Sequence, residues 1–152
     1  MRTTLLTLAL LAATTVARAG DLDKLQGRWE CRGGPKRDVS VSLEFKGETA
    51  TLTLGTAAGL KIKAKGRLVL DESTSPKTLD WVGFKGLDGQ EVPEILGIYA
   101  LDGESLKLCN GGFSGGRPAE FKPGEGPLAE VVVMGRPAEA REQPVASIAP
   151  AR

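Results

Sequence analysis

Hydrophobic and polar residues alternate along most of this chain with a period of two. The cleanest run is 60–65, where Leu60, Ile62 and Ala64 oppose Lys61, Lys63 and Lys65. A half-buried β-strand has this period, because successive side chains leave opposite faces of the sheet. Residues 39–45 repeat it, with Val39, Val41, Leu43 and Phe45 against Ser40, Ser42 and Glu44. Ala50, Leu52 and Leu54 likewise alternate with Thr51 and Thr53, and β-branched threonine suits the wet face of a strand. Gly66 interrupts the third run, which Arg67 to Leu70 resume, so a bulge is predicted inside one long strand. Further strands are predicted over 77–84, 95–101, 104–109 and 128–134, and a first strand opens at Gly27. Asp102-Gly103 predicts a two-residue type I′ hairpin. Residues 110–127 are rich in Gly and Pro and predict a long irregular loop.

A meander of about eight strands with mostly short connections predicts an all-β fold, an up-and-down antiparallel β-barrel. Closure favours the barrel over a two-sheet sandwich, because it removes exposed strand edges. The helical candidate ahead of the first strand is Asp21–Leu25. Asp21 can cap it, Leu22 and Leu25 share a face, and one such turn is expected to plug an end of the barrel.

The two ends of the chain differ from this rhythm. Arg2, a leucine-rich apolar run and Ala17-Arg18-Ala19 predict a signal peptide over 1–19, cut before Gly20. Its apolar run is shorter than the roughly 20 residues that span a bilayer. No second stretch is long enough for a transmembrane helix, so the mature domain, 20–136, is expected in the periplasm or outside the cell. Residues 137–152 hold three Pro and five Ala without periodicity and predict a disordered tail.

Composition narrows the chemistry. Loss of Arg2 and Arg18 with the leader changes 20 basic against 19 acidic groups to 18 against 19. A near-neutral domain gives no electrostatic reason to expect nucleic acid as a partner. The chain has no His, which removes His-activated nucleophiles and His-ligated metal sites. The two Cys cannot make a structural zinc site alone. Asp71, Glu72, Asp88, Asp102 and Glu104 fall at turns or on polar faces and read as solvated carboxylates. The Gly-rich run 111–116 lacks the following Lys-Ser/Thr and helix of a phosphate loop. The expectation is therefore a protein that is not an enzyme and holds no cofactor or metal.

A resemblance adds to this reading. Residues 23–29, Asp23-Lys24-Leu25-Gln26-Gly27-Arg28-Trp29, resemble the opening of a family of uncharacterised exported domains of planctomycete bacteria. Residues 76–80, 97–99, 102–109 and 117–121 are similar to the rest of that family's pattern. The resemblance spans about 21–136 and implies a lipocalin-like β-barrel without implying an activity. It also implies that Gly27 and Trp29 sit at the closed end of the barrel, with Arg136 packed across the indole. A guanidinium over an indole face contributes about 0.5–2 kcal/mol.

The remaining candidates concern ligands and thiols. Arg117 either anchors the long loop to the barrel or meets an acidic headgroup at a pocket mouth. Trp81 and Tyr99 are the aromatic candidates for ligand or loop anchoring. Export favours a disulfide between Cys31 and Cys109. Parity opposes it, with Cys31 inward beside Trp29 and Cys109 outward, on the face opposite Leu106 and Leu108; two unpaired thiols are the alternative. A small apolar or amphipathic ligand inside the barrel is the leading functional expectation. A structural or protein-interaction domain with a filled barrel is the alternative.

Overall fold

Period-two patterning becomes eight antiparallel strands in the structure, a computed structural model that describes residues 20–113, 115–125 and 128–138. The expected leader at 1–19, and the expected tail from 139 onward, lie outside the described residues. A short helix α1 (Asp21–Leu25) precedes β1 (Gly27–Gly33), β2 (Val39–Lys46), β3 (Thr49–Gly55) and β4 (Lys61–Asp71). Then follow β5 (Lys77–Gly86), β6 (Gly97–Asp102), β7 (Ser105–Asn110) and β8 (Val131–Gly135). Each strand pairs with the next, and β8 returns to β1, so the sheet is a closed barrel.

The inward faces make one core. Trp29, Leu43, Phe45, Leu79, Tyr99, Leu106 and Met134 are all buried within it, and Leu25 of α1 joins them. Outward positions of β2, β3 and β4 carry the Ser, Thr and Lys residues of the alternating runs.

The predicted bulge lies opposite Gly66 rather than at it. Between the pairs Lys65–Lys85 and Arg67–Val82, β5 has one residue more than β4, so Phe84 and Gly83 face Gly66 and Gly83 takes φ 62°, while β4 stays in register with β3. Phe84 packs directly onto the glycine: a Cβ at this position would stand 2.8 Å from the Phe84 Cα. Gly66→Ala is therefore expected to destabilise the fold by about 1–3 kcal/mol through overpacking. Chemical denaturation measures this, and an unchanged midpoint would show that the bulge tolerates a side chain.

Three boundaries differ from the sequence pattern. The expected strand over 128–134 begins only at Val131, because Leu128 takes φ 64° and a left-handed residue cannot continue a strand. The 102–105 hairpin pairs Asp102 with Ser105, so its loop residues are Gly103 and Glu104 rather than Asp102 and Gly103. Gly103 alone of the two has positive φ, 55°, which fits a type II′ turn and not type I′. Leu60 and Ile62, inward by parity, are exposed. Leu60 lies just ahead of β4 and Ile62 at its start, which projects past β5, since the pairing of the two strands begins at Ala64 opposite Gly86.

Two seams of the barrel are loose. β1 and β8 share one register pair, Glu30 opposite Gly135. β5 and β6 pair at Lys77–Tyr99 and Thr78–Ile98, and meet again as an isolated bridge at Trp81–Ile95.

Candidate functional site

The barrel has a sealed end and an apolar interior, and the candidate residues divide between them. At the sealed end, α1 leads straight into β1, and the Trp29 indole donates its Nε1–H to the Leu25 carbonyl at 2.8 Å. Arg136, just past β8, lays its guanidinium carbon 3.8 Å from the Trp29 ring centroid. The same guanidinium donates to the carbonyls of Lys24 at 2.7 Å and Gln26 at 2.8 Å. Carbonyls at the end of a helix lack intrahelical partners, and Arg136 satisfies two of them while covering the indole. Gly27 keeps this approach open. Its φ is 92°, and a Cβ there would stand 3.2 Å from Arg136 Nη1.

Beside this seal lies a charged cluster that local sequence reading misses. Asp21 does not cap α1; it is the first residue of the helix, behind Gly20, and is buried. Its carboxylate accepts from Lys24 Nζ at 2.8 Å, from Lys77 Nζ, and from the Tyr99 hydroxyl at 3.0 Å. The Asp21 N–H donates to Glu72 at 2.8 Å, so Glu72 is a partner of the plug and not a merely solvated turn residue. Burial alone would raise the Asp21 pKa. The bonds from Lys24, Lys77 and Tyr99 outweigh it and hold the group at about 2, below its ordinary 3.8. Tyr99 is pushed upward by burial and by the Asp21 carboxylate. Tyr99 thus belongs to the plug and does not line the interior cavity.

Above the plug the interior is hollow. A cavity of about 280 Å³ is walled by side chains including Leu43, Leu52, Ala64, Trp81, Phe84 and Leu108. Trp81 and Phe84 pack with ring centroids 5.1 Å apart. The Trp81 Nε1–H donates to the Asn110 side-chain carbonyl at 3.0 Å, so the polar edge of the indole is satisfied within an apolar wall. Toward its open side the cavity reaches Gly33, Gly34, Leu128 and Glu130, next to the loose β1–β8 seam.

Arg117 closes the other seam. Its two terminal nitrogens grip both oxygens of Asp80, at 2.6 and 2.8 Å, and one also donates to the Gly97 carbonyl at 2.8 Å. Asp80 lies on β5 and Gly97 on β6, so a residue of the long β7–β8 segment bridges two strands whose own pairing is sparse. A bidentate guanidinium–carboxylate pair is among the stronger polar contacts. Arg117 is fully engaged here and does not line the cavity.

The thiols take separate roles. Cys31 and Cys109 are both free. Cys109 points to the outer face of β7, as parity predicts, yet it is buried. The β7–β8 segment crosses over it, with the carbonyls of Glu120 and Lys122 at 3.7 and 3.3 Å from Sγ. Phe121 of the same segment meets Lys107 Nζ at 5.2 Å. Cys31 packs partly against the core on the far side of the barrel wall from that position. Burial raises both thiol pKa values; the Glu130 carboxylate adds to the rise at Cys31, and Arg37 opposes it.

Of the candidates, then, Gly27, Trp29 and Arg136 gather at the sealed end with Tyr99. Trp81 alone of the three proposed anchors lines the cavity. Sequence reading missed Asp21 and Asn110. Asn110 carries a signal, a polar residue at the end of an apolar strand; Asp21 carries none, since Lys77 and Tyr99 are more than fifty residues away.

Among the described residues no group of three or more His, Cys, Asp or Glu could hold a metal ion. No helix among them is long and apolar enough to cross a membrane. No family model, curated protein or solved structure matches this chain.

Proposed function

We propose that this domain is an exported, lipocalin-like binding protein without catalytic activity, which holds a small apolar or amphipathic molecule inside its barrel. The observation that carries this reading is the apolar cavity of about 280 Å³ around Trp81. Ligand sites of small molecules start near 300 Å³ and combine apolar walls with a few placed polar groups. At about 30 Å³ per heavy atom, the space takes roughly nine heavy atoms, the size of a short alkyl chain or a single fused ring system. The polar end of an amphipathic guest would face the opening beside Glu130.

Titration with 1-nonanol, followed by tryptophan emission, tests this. A saturable change is expected, because Trp81 lines the cavity. Ala64→Leu fills the same space and is expected to weaken the response at least about tenfold, a loss of about 1.4 kcal/mol. Its unfolding midpoint should stay within a few degrees of wild type. Native mass spectrometry of protein purified from its own host is expected to show a bound small molecule. A flat titration with no co-purifying molecule would leave a structural or protein-interaction barrel as the better reading.

A further inference from the structure

The outer face of β1 to β4 carries a second concavity, independent of the interior. It encloses about 640 Å³. The strand registers build it in rows. Arg32, Ser40, Gly55 and Lys61 stand side by side across the four strands. Glu30, Ser42, Thr53 and Lys63 form the next row, and Arg28, Glu44, Thr51 and Lys65 the third. Long charged chains on β1 and β4 therefore make two walls, and short hydroxyl side chains make much of the floor between them. The walls are three strand spacings apart, about 14 Å, which admits one extended polymer chain.

The charge on this face is net positive. Lys61, Lys63, Lys65 and Arg67 all point outward from β4 and are exposed. Alternate residues of a strand lie about 6.7 Å apart, so the four make a regular row of cations. None of the four forms an ion pair among the described residues. Arg28, Lys77, Lys85, Arg117 and Lys122 each have a carboxylate partner. The two acids of the concavity offset this charge only in part. Glu30 is held by Arg28 at 2.9 Å, and Glu44 shares its row with Arg28 and Lys65, which leaves Lys61 and Lys63 without an acid in the concavity facing them alone. The whole chain has a net charge of only +1, so the positive surface is local.

We infer that this face binds an anionic polysaccharide lying along β4. Cations at regular spacing suit a chain bearing carboxylate or sulfate groups, and the floor hydroxyls of Ser42, Thr51 and Thr53 match sugar hydroxyls in size and hydrogen-bonding capacity. A single-stranded nucleic acid is a poorer fit, because no aromatic side chain lines the concavity to stack its bases.

Binding of the full-length mature protein to alginate, dextran sulfate, neutral dextran, polyphosphate and oligo-dT, at low and at high salt, tests the inference. At least one of alginate and dextran sulfate is expected to bind, with an affinity that falls at least about tenfold at high salt. Alginate alone marks a carboxylated chain and dextran sulfate alone a sulfated one; neutral dextran is expected not to bind. Lys61→Glu with Lys63→Glu is expected to weaken binding at least about tenfold at an unchanged unfolding midpoint, since both side chains are exposed. Lys107→Glu with Lys122→Glu changes the net charge equally but lies elsewhere, and is expected to leave binding intact. Three results would overturn the inference: no binding to either anionic polysaccharide, equal losses in the two double variants, or tighter binding to polyphosphate or oligo-dT. The nonanol titration is independent of all three.

Discussion

Trp29→Ala is expected to destabilise the domain by about 3–5 kcal/mol, the range of large aromatic truncations in a core. For a domain of this size that lowers the thermal midpoint by on the order of 15 °C. The effect is large because Trp29 does three things at once. It is fully buried, it donates to the Leu25 carbonyl at 2.8 Å, and it forms the surface on which Arg136 rests. Its removal opens a hole at the sealed end and leaves Arg136 without its aromatic partner. Trp29→Phe keeps most of the volume and a ring face, and is expected to cost less than half as much. Calorimetry of both variants checks this. Equal midpoints for the alanine variant and wild type would mean that α1 and Arg136 do not depend on the indole for their position.

The second large effect is electrostatic and depends on pH. Asp21 has its folded pKa held at about 2, below the ordinary 3.8 expected for the unfolded chain. Its contribution to stability is therefore fully present above pH 3.8 and is lost as the pH falls from there through 2. A depression of this size corresponds to about 2 kcal/mol. Asp21→Asn keeps the shape but loses the charge that Lys24 and Lys77 face. The variant is expected to be at least about 2 kcal/mol less stable than wild type at pH 6, with the gap mostly closed by pH 2. Denaturant titrations of both proteins across that range measure it. A gap that stays constant down to pH 2 would show that the residue contributes packing rather than charge.

Both effects arise at the sealed end, yet they differ in how far the sequence announces them. Trp29 stands out through its Gly27-Arg28-Trp29 setting at the opening of the first strand, and Arg136 through its place at the end of the last. Asp21 looks like a helix cap, because a cap and a buried ion-pair partner are the same residue type at the same place in the chain. Lys77 and Tyr99 tell them apart, and they arrive from β5 and β6 only when the barrel closes.

Cys109 and Arg117 make the same point from the outer surface. Alternation places Cys109 outside the barrel, and it is outside. Alternation has no means of showing that residues 120–122 then cover it. Arg117 reads equally well as a loop anchor or as a mouth residue. The sparse pairing between β5 and β6 leaves Asp80 and the Gly97 carbonyl available to it.

The sequence by itself determined the strands, their inward and outward faces and the all-β barrel. These follow from side-chain periodicity and turn chemistry, which act between residues a few positions apart. Only the tertiary structure decided that the barrel is hollow around Trp81, that Asp21 joins Lys77 and Tyr99, and that Arg117 ties β5 to β6. The volume left inside a closed sheet, and the partner a charge meets across it, depend on which distant strands come together and how closely they pair.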